Sequence, residues 1–304
     1  MSFQEFLQAK KSNLSSRQRR GLVCRPNGRS TDFIAPNLAT GCELACSYCY
    51  VARHRDYGNP LEQYTNRSDI FKSVLAHYVT LPAKTPNQCD PDVWTYDIGE
   101  STDCLSPKNI DGTREYIKYF LDNTNAKPCF ATKLATGRNL GALDRNKHGM
   151  ARVRVSLMPQ VVASQVEKAT STIDKRIQSI QELYDLGYEV HINFSPVVVY
   201  KGWRDDYAKL CGQIDSCISD DVKRQLKCEV IFLTHHAGLH NSNLRWIPEA
   251  EDLMWKPEWQ EYKTTERGDS SVLRYQYQIK NRLVEIFKDV IANHLSYCKI
   301  RYIF

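Results

Sequence analysis

From residue 30 onward the chain alternates strand-like runs with amphipathic stretches of helical period, and no other feature limits its fold as strongly. Residues 93–99, 128–134, 152–158, 189–199 and 228–234 are rich in β-branched and aromatic side chains and are bounded by turn formers, so they read as strands. Residues 68–78, 113–122, 173–186 and 203–217 carry apolar side chains at helical spacing. A first strand is expected over 32–38. Strands that alternate with helices pair in parallel through right-handed crossovers. Six such strands suit an incomplete (β/α) barrel or an open doubly wound sheet, and in both the site lies at the carboxyl ends of the strands. A helix over 277–294 leads into "CKIRYIF", a final strand or C-terminal plug. Without a repeat or a low-complexity linker, one catalytic domain over 31–304 is expected, with a core barrel over about 31–240 and a C-terminal extension over about 241–304.

Composition narrows the setting. No run of about 18 apolar residues is present, so no membrane span is expected. The N-terminus lacks an apolar stretch followed by a small-residue cleavage site, so a reducing compartment, the cytoplasm, is expected. Eleven cysteines, odd in number and scattered, fit free thiols plus a metal site better than a disulfide framework. The net charge is +6, but seven basic and no acidic residues fall between Lys10 and Arg29. Residues 1–30 therefore read as a basic, mobile arm, suited either to phosphate contacts or simply to solvation.

The stretch "GCELACSYCY" places Cys42, Cys46 and Cys49 on one tight loop, directly after the expected first strand. Structural zinc takes four protein ligands, commonly as two knuckles, and no second C-x2-C pair stands elsewhere in the chain. The spacing also departs from the fourfold cysteine runs of ferredoxins. Three thiolates on a [4Fe-4S] cluster leave one iron open to a substrate or cofactor.

With Tyr48 before the last cysteine, the pattern C-x3-C-x-Tyr-C resembles the radical S-adenosylmethionine superfamily. Gly99 and Glu100, at the end of the second strand, match part of that superfamily's Gly-Gly-Glu motif. "FATK" (130–133), "RVRVS" (152–156), "DKRI" (174–177) and "GWRDDY" (202–207) follow in an order that looks like the spore photoproduct lyase family over roughly 35–234. The resemblance implies a partial (β/α)6 TIM-like barrel with a C-terminal helix and strand. It also implies two cofactors, a [4Fe-4S] cluster held by Cys42, Cys46 and Cys49, and S-adenosylmethionine. One electron, from a donor such as flavodoxin or ferredoxin, cleaves the latter to a 5′-deoxyadenosyl radical. The implied reaction is repair of a methylene-bridged thymine dimer in DNA.

Carried over residue by residue, the resemblance has Gly99 and Glu100 receiving the cofactor's amino group, Lys133 its carboxylate, and Ser156 its ribose or methionyl part. Tyr48 and Tyr50 are implied in a hydrogen relay, or else pack on the cluster and adenine. The family's hydrogen-donor thiol falls at Asp103 here, and the cysteine, Cys104, stands one residue later; a loop change would restore its role, while a buried Cys104 would be a small core residue. Cys89 and Cys129 follow no strand end. Arg274 and Tyr275 form a basic, aromatic cluster that suits DNA, or Tyr275 and Tyr277 pack the last helix on the barrel. His235, His236 and His240 read as bonded to backbone or phosphate, or as metal ligands. Two other functions stay open: the same radical chemistry on another nucleotide lesion, a peptide or a metabolite, and a non-catalytic, metal-stabilised nucleic-acid binder.

Overall fold

The computed structural model describes Glu5 and residues 14–51, 61–263 and 272–304. In chain order the strands and helices that frame the site begin with β1 (Leu14–Arg17), β2 (Arg25–Pro26), β3 (Phe33–Ile34), β4 (Ala39–Thr40) and β5 (Leu61–Tyr64). Next come α1 (Arg67–Tyr78), β6 (Thr95–Asp97), α2 (Ile110–Asn123), β7 (Lys127–Thr132) and β8 (Arg152–Ser156). They are followed by α3 (Gln160–Val166), α4 (Ile173–Asp185), β9 (Glu189–Val197), α5 (Trp203–Cys217), α6 (Asp220–Gln225) and β10 (Lys227–Phe232). The last part holds β11 (Thr234–His236), α7 (Ala237–Trp246), α8 (Pro248–Met254), β12 (Gln260–Lys263), β13 (Val272–Tyr275), α9 (Tyr277–His294) and β14 (Lys299–Ile303).

Eight strands form one sheet in the order β14-β10-β9-β8-β7-β6-β3-β2, curled into a half-barrel. Every neighbouring pair runs parallel except β2 with β3. The alternation in the sequence predicts six of the parallel strands; the seventh, β14, comes from the C-terminal end and extends the barrel edge. The helix boundaries for α5 and α9 coincide with the periodicity. The first strand is much shorter than 32–38. Asp32 turns its carboxylate onto Thr95, accepting from its amide at 3.0 Å and its hydroxyl at 2.8 Å, and Pro36 has no N–H to continue the ladder.

Helix α2 shows how the outer layer is fixed. Ile110, Thr113, Tyr116, Ile117, Phe120 and Leu121 share one buried face, and each large apolar side chain fully removed from water contributes up to about 1.5–3 kcal/mol. On the far side, α9 lays Phe287 against α5, with the ring parallel to Trp203 at 6.4 Å and edge-on to Tyr207 at 5.2 Å.

The inside of the barrel is ionic. Arg152 and Lys127 share Asp90 and Glu189 at 2.6–3.1 Å. Above them Arg154 pairs with Asp97 and, at 3.1 Å, with Glu229, which also binds Arg301 of β14 at 2.8 Å. Four cations thus face four carboxylates, and burial pushes the adjacent His191 down to about 3, so it stays neutral.

The basic segment departs from the mobile arm expected of it. From Leu14 onward it is part of the body: β1 pairs with β5, the Arg19 amide donates to Asn66 at 2.8 Å, and Arg301 donates to the Ser30 carbonyl at 2.7 Å. Lys10 and Lys11 lie outside the described residues. No described helix is long and apolar enough to cross a membrane.

Candidate active site

A cavity of about 500 Å³ opens among the carboxyl ends of the strands, and Cys42, Cys46 and Cys49 all line it. Their loop is pinned from behind, since the Ser47 amide donates to the Val166 carbonyl at 2.9 Å, and Ser47 accepts at its own carbonyl from Asn243 at 2.7 Å. Burial pushes the Cys42 thiol up to about 12, although the backbone amides of Leu44 and Asp103 point at its sulfur. Cys46 is raised further by burial and by Glu167, against the pull of Lys133. Three converging thiols with amides aimed at one sulfur suit a sulfur-rich metal cluster. Among the described residues, no group of histidines, cysteines and carboxylates at single-metal spacing includes these thiols.

The turn after β6 explains the Gly-Glu pair. The Gly99 amide donates to Asp97 Oδ1 at 2.8 Å, and a Cβ on Gly99 would stand 2.8 Å from Cys104 Sγ and 2.9 Å from Phe130 Cβ. Only glycine fits there without rearrangement. Glu100 lines the cavity, its carboxylate paired with Arg25 and its carbonyl accepting from the Tyr50 hydroxyl. Lys133, at the end of β7, also lines the cavity. Its ammonium lies 5.6 Å over the Tyr48 ring, makes no ion pair within 4 Å among the described residues, and acts on Asp103 and Cys46 at longer range. The Tyr48 hydroxyl bonds to Glu167, which is itself clamped by the buried Arg176 at 2.5 Å.

Three expectations change here. Cys104 does not line this cavity. It lies behind Gly99, 3% exposed, with Sγ 3.8 Å from the Ile98 carbonyl, facing a recess of only about 20 Å³. The lining residue is Asp103, whose carboxylate accepts from the Leu105 and Lys133 amides at 2.9 Å each and from the Thr132 hydroxyl. Burial nonetheless raises its pKa. Ser156 is likewise set back, 1% exposed, and the neighbouring wall residue is Asn193, whose amide nitrogen lies 3.5 Å from the Ser156 hydroxyl. Tyr275 is a core residue, 2% exposed, its hydroxyl accepting from the Val199 amide at 3.0 Å, so it cannot grip DNA; Arg274 pairs with Glu261 at 3.2 Å, and Tyr277 is exposed rather than packed. Cys89 and Cys129 are buried, with their thiols on the Arg29 and Lys127 carbonyls.

The histidines divide. His236 caps α7, accepting from the Gly238 amide at 3.0 Å, while His235 and His240 converge on Glu251. Sequence reasoning missed Glu251, Asn193 and the Tyr48 partner Glu167. Only the position of Asn193 on a predicted strand offered a signal, because the two glutamates meet their partners across 8 to 119 residues of chain.

The family model described as spore photoproduct lyase matches residues 2–304. The spore photoproduct lyase of Clostridium acetobutylicum is 24% identical over 282 residues, covering 92% of this chain and 78% of its own. That of Bacillus subtilis is 25% identical over 222 residues, 73% and 62% of the two chains. A solved structure of a doubly substituted spore photoproduct lyase, with bound AdoMet and dinucleoside spore photoproduct, superimposes with a TM-score of 0.85 at 20% identity, covering 100% of this chain and 86% of that one. The half-barrel of parallel strands with three thiols lining its cavity, together with these relatives, makes this chain a radical S-adenosylmethionine enzyme. Within that class it belongs to the spore photoproduct lyase family.

Proposed function

We propose that this lyase uses a [4Fe-4S] cluster and S-adenosylmethionine to reverse a methylene-bridged thymine dimer in DNA, drawing its electron from a flavodoxin or ferredoxin. The observation that carries the reading is the meeting, in one cavity, of three thiols with an ammonium, Lys133, that makes no close ion pair among the described residues. Cys42, Cys46 and Cys49 would hold the cluster, as three thiols lining one cavity allow. Once bound, the two cofactors supply a carbon radical able to take a hydrogen atom from the lesion.

The remaining work falls to the chain. Lys133 receives the cofactor's carboxylate through a charge-assisted hydrogen bond. Gly99 lets the backbone come close to its amino group, and Glu100 is held in place by Arg25. Asn193, rather than Ser156, meets the ribose or methionyl part. Tyr50 has its hydroxyl at the cavity and belongs to the hydrogen relay; Tyr48, bound to Glu167, holds the loop. A lesion in a duplex has to turn out of the stack to enter, and closure around it keeps water from the radical.

One observation favours a second reading, the same radical chemistry on another substrate. Among the described residues, no thiol besides the three loop cysteines lines the cavity, and a carboxylate, Asp103, stands where the family has its donor. Cys104→Ala separates structure from chemistry. We expect the substitution to cost about 1 kcal/mol of stability, measured by urea unfolding, for the small void it leaves. Turnover should stay within about twofold of wild type, the shift that half a kcal/mol of barrier would give. A change in product distribution would return the donor role to Cys104.

The reading itself is tested by measuring 5′-deoxyadenosine from reduced, cluster-loaded enzyme with oligonucleotides that contain or lack spore photoproduct. Release that rises with the lesion and is accompanied by repaired thymines supports repair. Slow release indifferent to the lesion keeps the enzyme class and removes this substrate.

A further inference from the structure

At the edge of the cavity, which His235 lines, three side chains from three elements outside the cysteine loop meet at one point. His235 ends β11, His240 lies on α7 and Glu251 on α8. Glu251 Oε2 stands 2.9 Å from His235 Nε2 and 2.5 Å from His240 Nδ1, and the three atoms lie within 4.8 Å of one another. His235 and Glu251 are buried, and His240 is half-buried.

The surroundings hold this set in place. Asn243 Nδ2 donates to Glu251 Oε1 at 2.5 Å and to the Ser47 carbonyl at 2.7 Å, and Trp255 stacks flat on His240 at 3.8 Å. Burial works against a charge on Glu251, but bonds from His235, His240 and Asn243 outweigh it and keep the carboxyl below its ordinary range. Two imidazoles and one carboxylate anion form a donor set that zinc takes, at about 2.0–2.2 Å per bond, with a fourth position for water. Ligand atoms arranged tetrahedrally at such lengths stand about 3.3 Å apart, so the two contacts of Glu251, at 2.9 and 2.5 Å, each have to open by less than an ångström. Outer partners that fix each ligand's orientation, as Asn243 and Trp255 do here, are a regular part of zinc sites.

We propose that His235, His240 and Glu251 bind one Zn²⁺ ion. The ion fastens the C-terminal extension to the cysteine loop, because Asn243 links its carboxylate ligand to the Ser47 carbonyl, between Cys46 and Cys49. Three protein ligands with water in the fourth position make this an open zinc site rather than a closed structural one, and the test of zinc binding does not depend on which lesion the cavity accepts.

The test uses the cluster-loaded enzyme, incubated with one equivalent of zinc chloride and gel-filtered. Elemental analysis should find about one zinc beside the iron, and X-ray absorption at the zinc edge should give only nitrogen and oxygen neighbours near 2.0 Å. Glu251→Gln, which keeps the shape and one of the two acceptor oxygens, and His240→Gln should each retain under about a tenth of that zinc, with iron unchanged. Sulfur neighbours near 2.3 Å would place the zinc on the cysteine loop instead and overturn the proposal. Wild type that retains no zinc, or variants that retain all of it, would overturn it as well, leaving a purely hydrogen-bonded hub.

Discussion

Alanine at Cys46 is expected to abolish the iron centre. After anaerobic reconstitution the variant should hold under about a tenth of wild-type iron, because a cluster with one open iron has no spare protein ligand to lose. Formation of 5′-deoxyadenosine should fall below detection. The fold should survive, since the loop is anchored through Ser47 to Val166 and Asn243 and not through its thiols. Iron content, the absorbance near 400 nm and far-ultraviolet circular dichroism check the three parts together. A variant that keeps its iron and still cleaves S-adenosylmethionine would mean that the cluster sits elsewhere.

The second large effect lies in the barrel interior. Glu229 is fully buried, and it receives Arg154 at 3.1 Å, Arg301 at 2.8 Å and the Tyr302 hydroxyl at 3.0 Å. Glu229→Ala leaves two guanidinium groups that cannot lose their charge. Breaking a buried pair by removing one partner costs about 3–5 kcal/mol, and that loss should appear as a lower urea midpoint with an unchanged slope. Arg301 also ties β14 to the Ser30 and Cys89 carbonyls, and Arg154 forms part of the cavity wall. The variant should therefore bind S-adenosylmethionine more weakly even where it remains folded. A loss under about 1 kcal/mol would show that water or relaxation compensates the arginines.

What could be read from the sequence follows from how local each cause is. The parallel strands and the helices α5 and α9 rest on periodicity within a dozen or so residues, and the cysteine loop lies within ten. Gly99 was legible as the end of a strand, although its steric reason, the closeness of Cys104 and Phe130, needs the fold. The position of Cys104 could not be read, because a one-residue offset at a turn decides whether a thiol or the preceding carboxylate faces the cavity. Tyr275 looked like a surface aromatic beside Arg274; pairing in the β11-β13-β12 sheet turns it inward instead. The ionic interior was hidden for a different reason. Arg152 and Arg154 alternate with valines as exposed strand residues would, and only closure of the half-barrel brings Asp90, Glu189 and Glu229 to them.

The most direct measurement is product analysis after the reduced, cluster-loaded enzyme meets a short duplex carrying a single spore photoproduct. Digestion and mass spectrometry should recover thymidylyl-thymidine in step with loss of the lesion, and only when S-adenosylmethionine is present. An unchanged lesion, under conditions where 5′-deoxyadenosine still accumulates, would contradict the account and assign this cavity to another substrate.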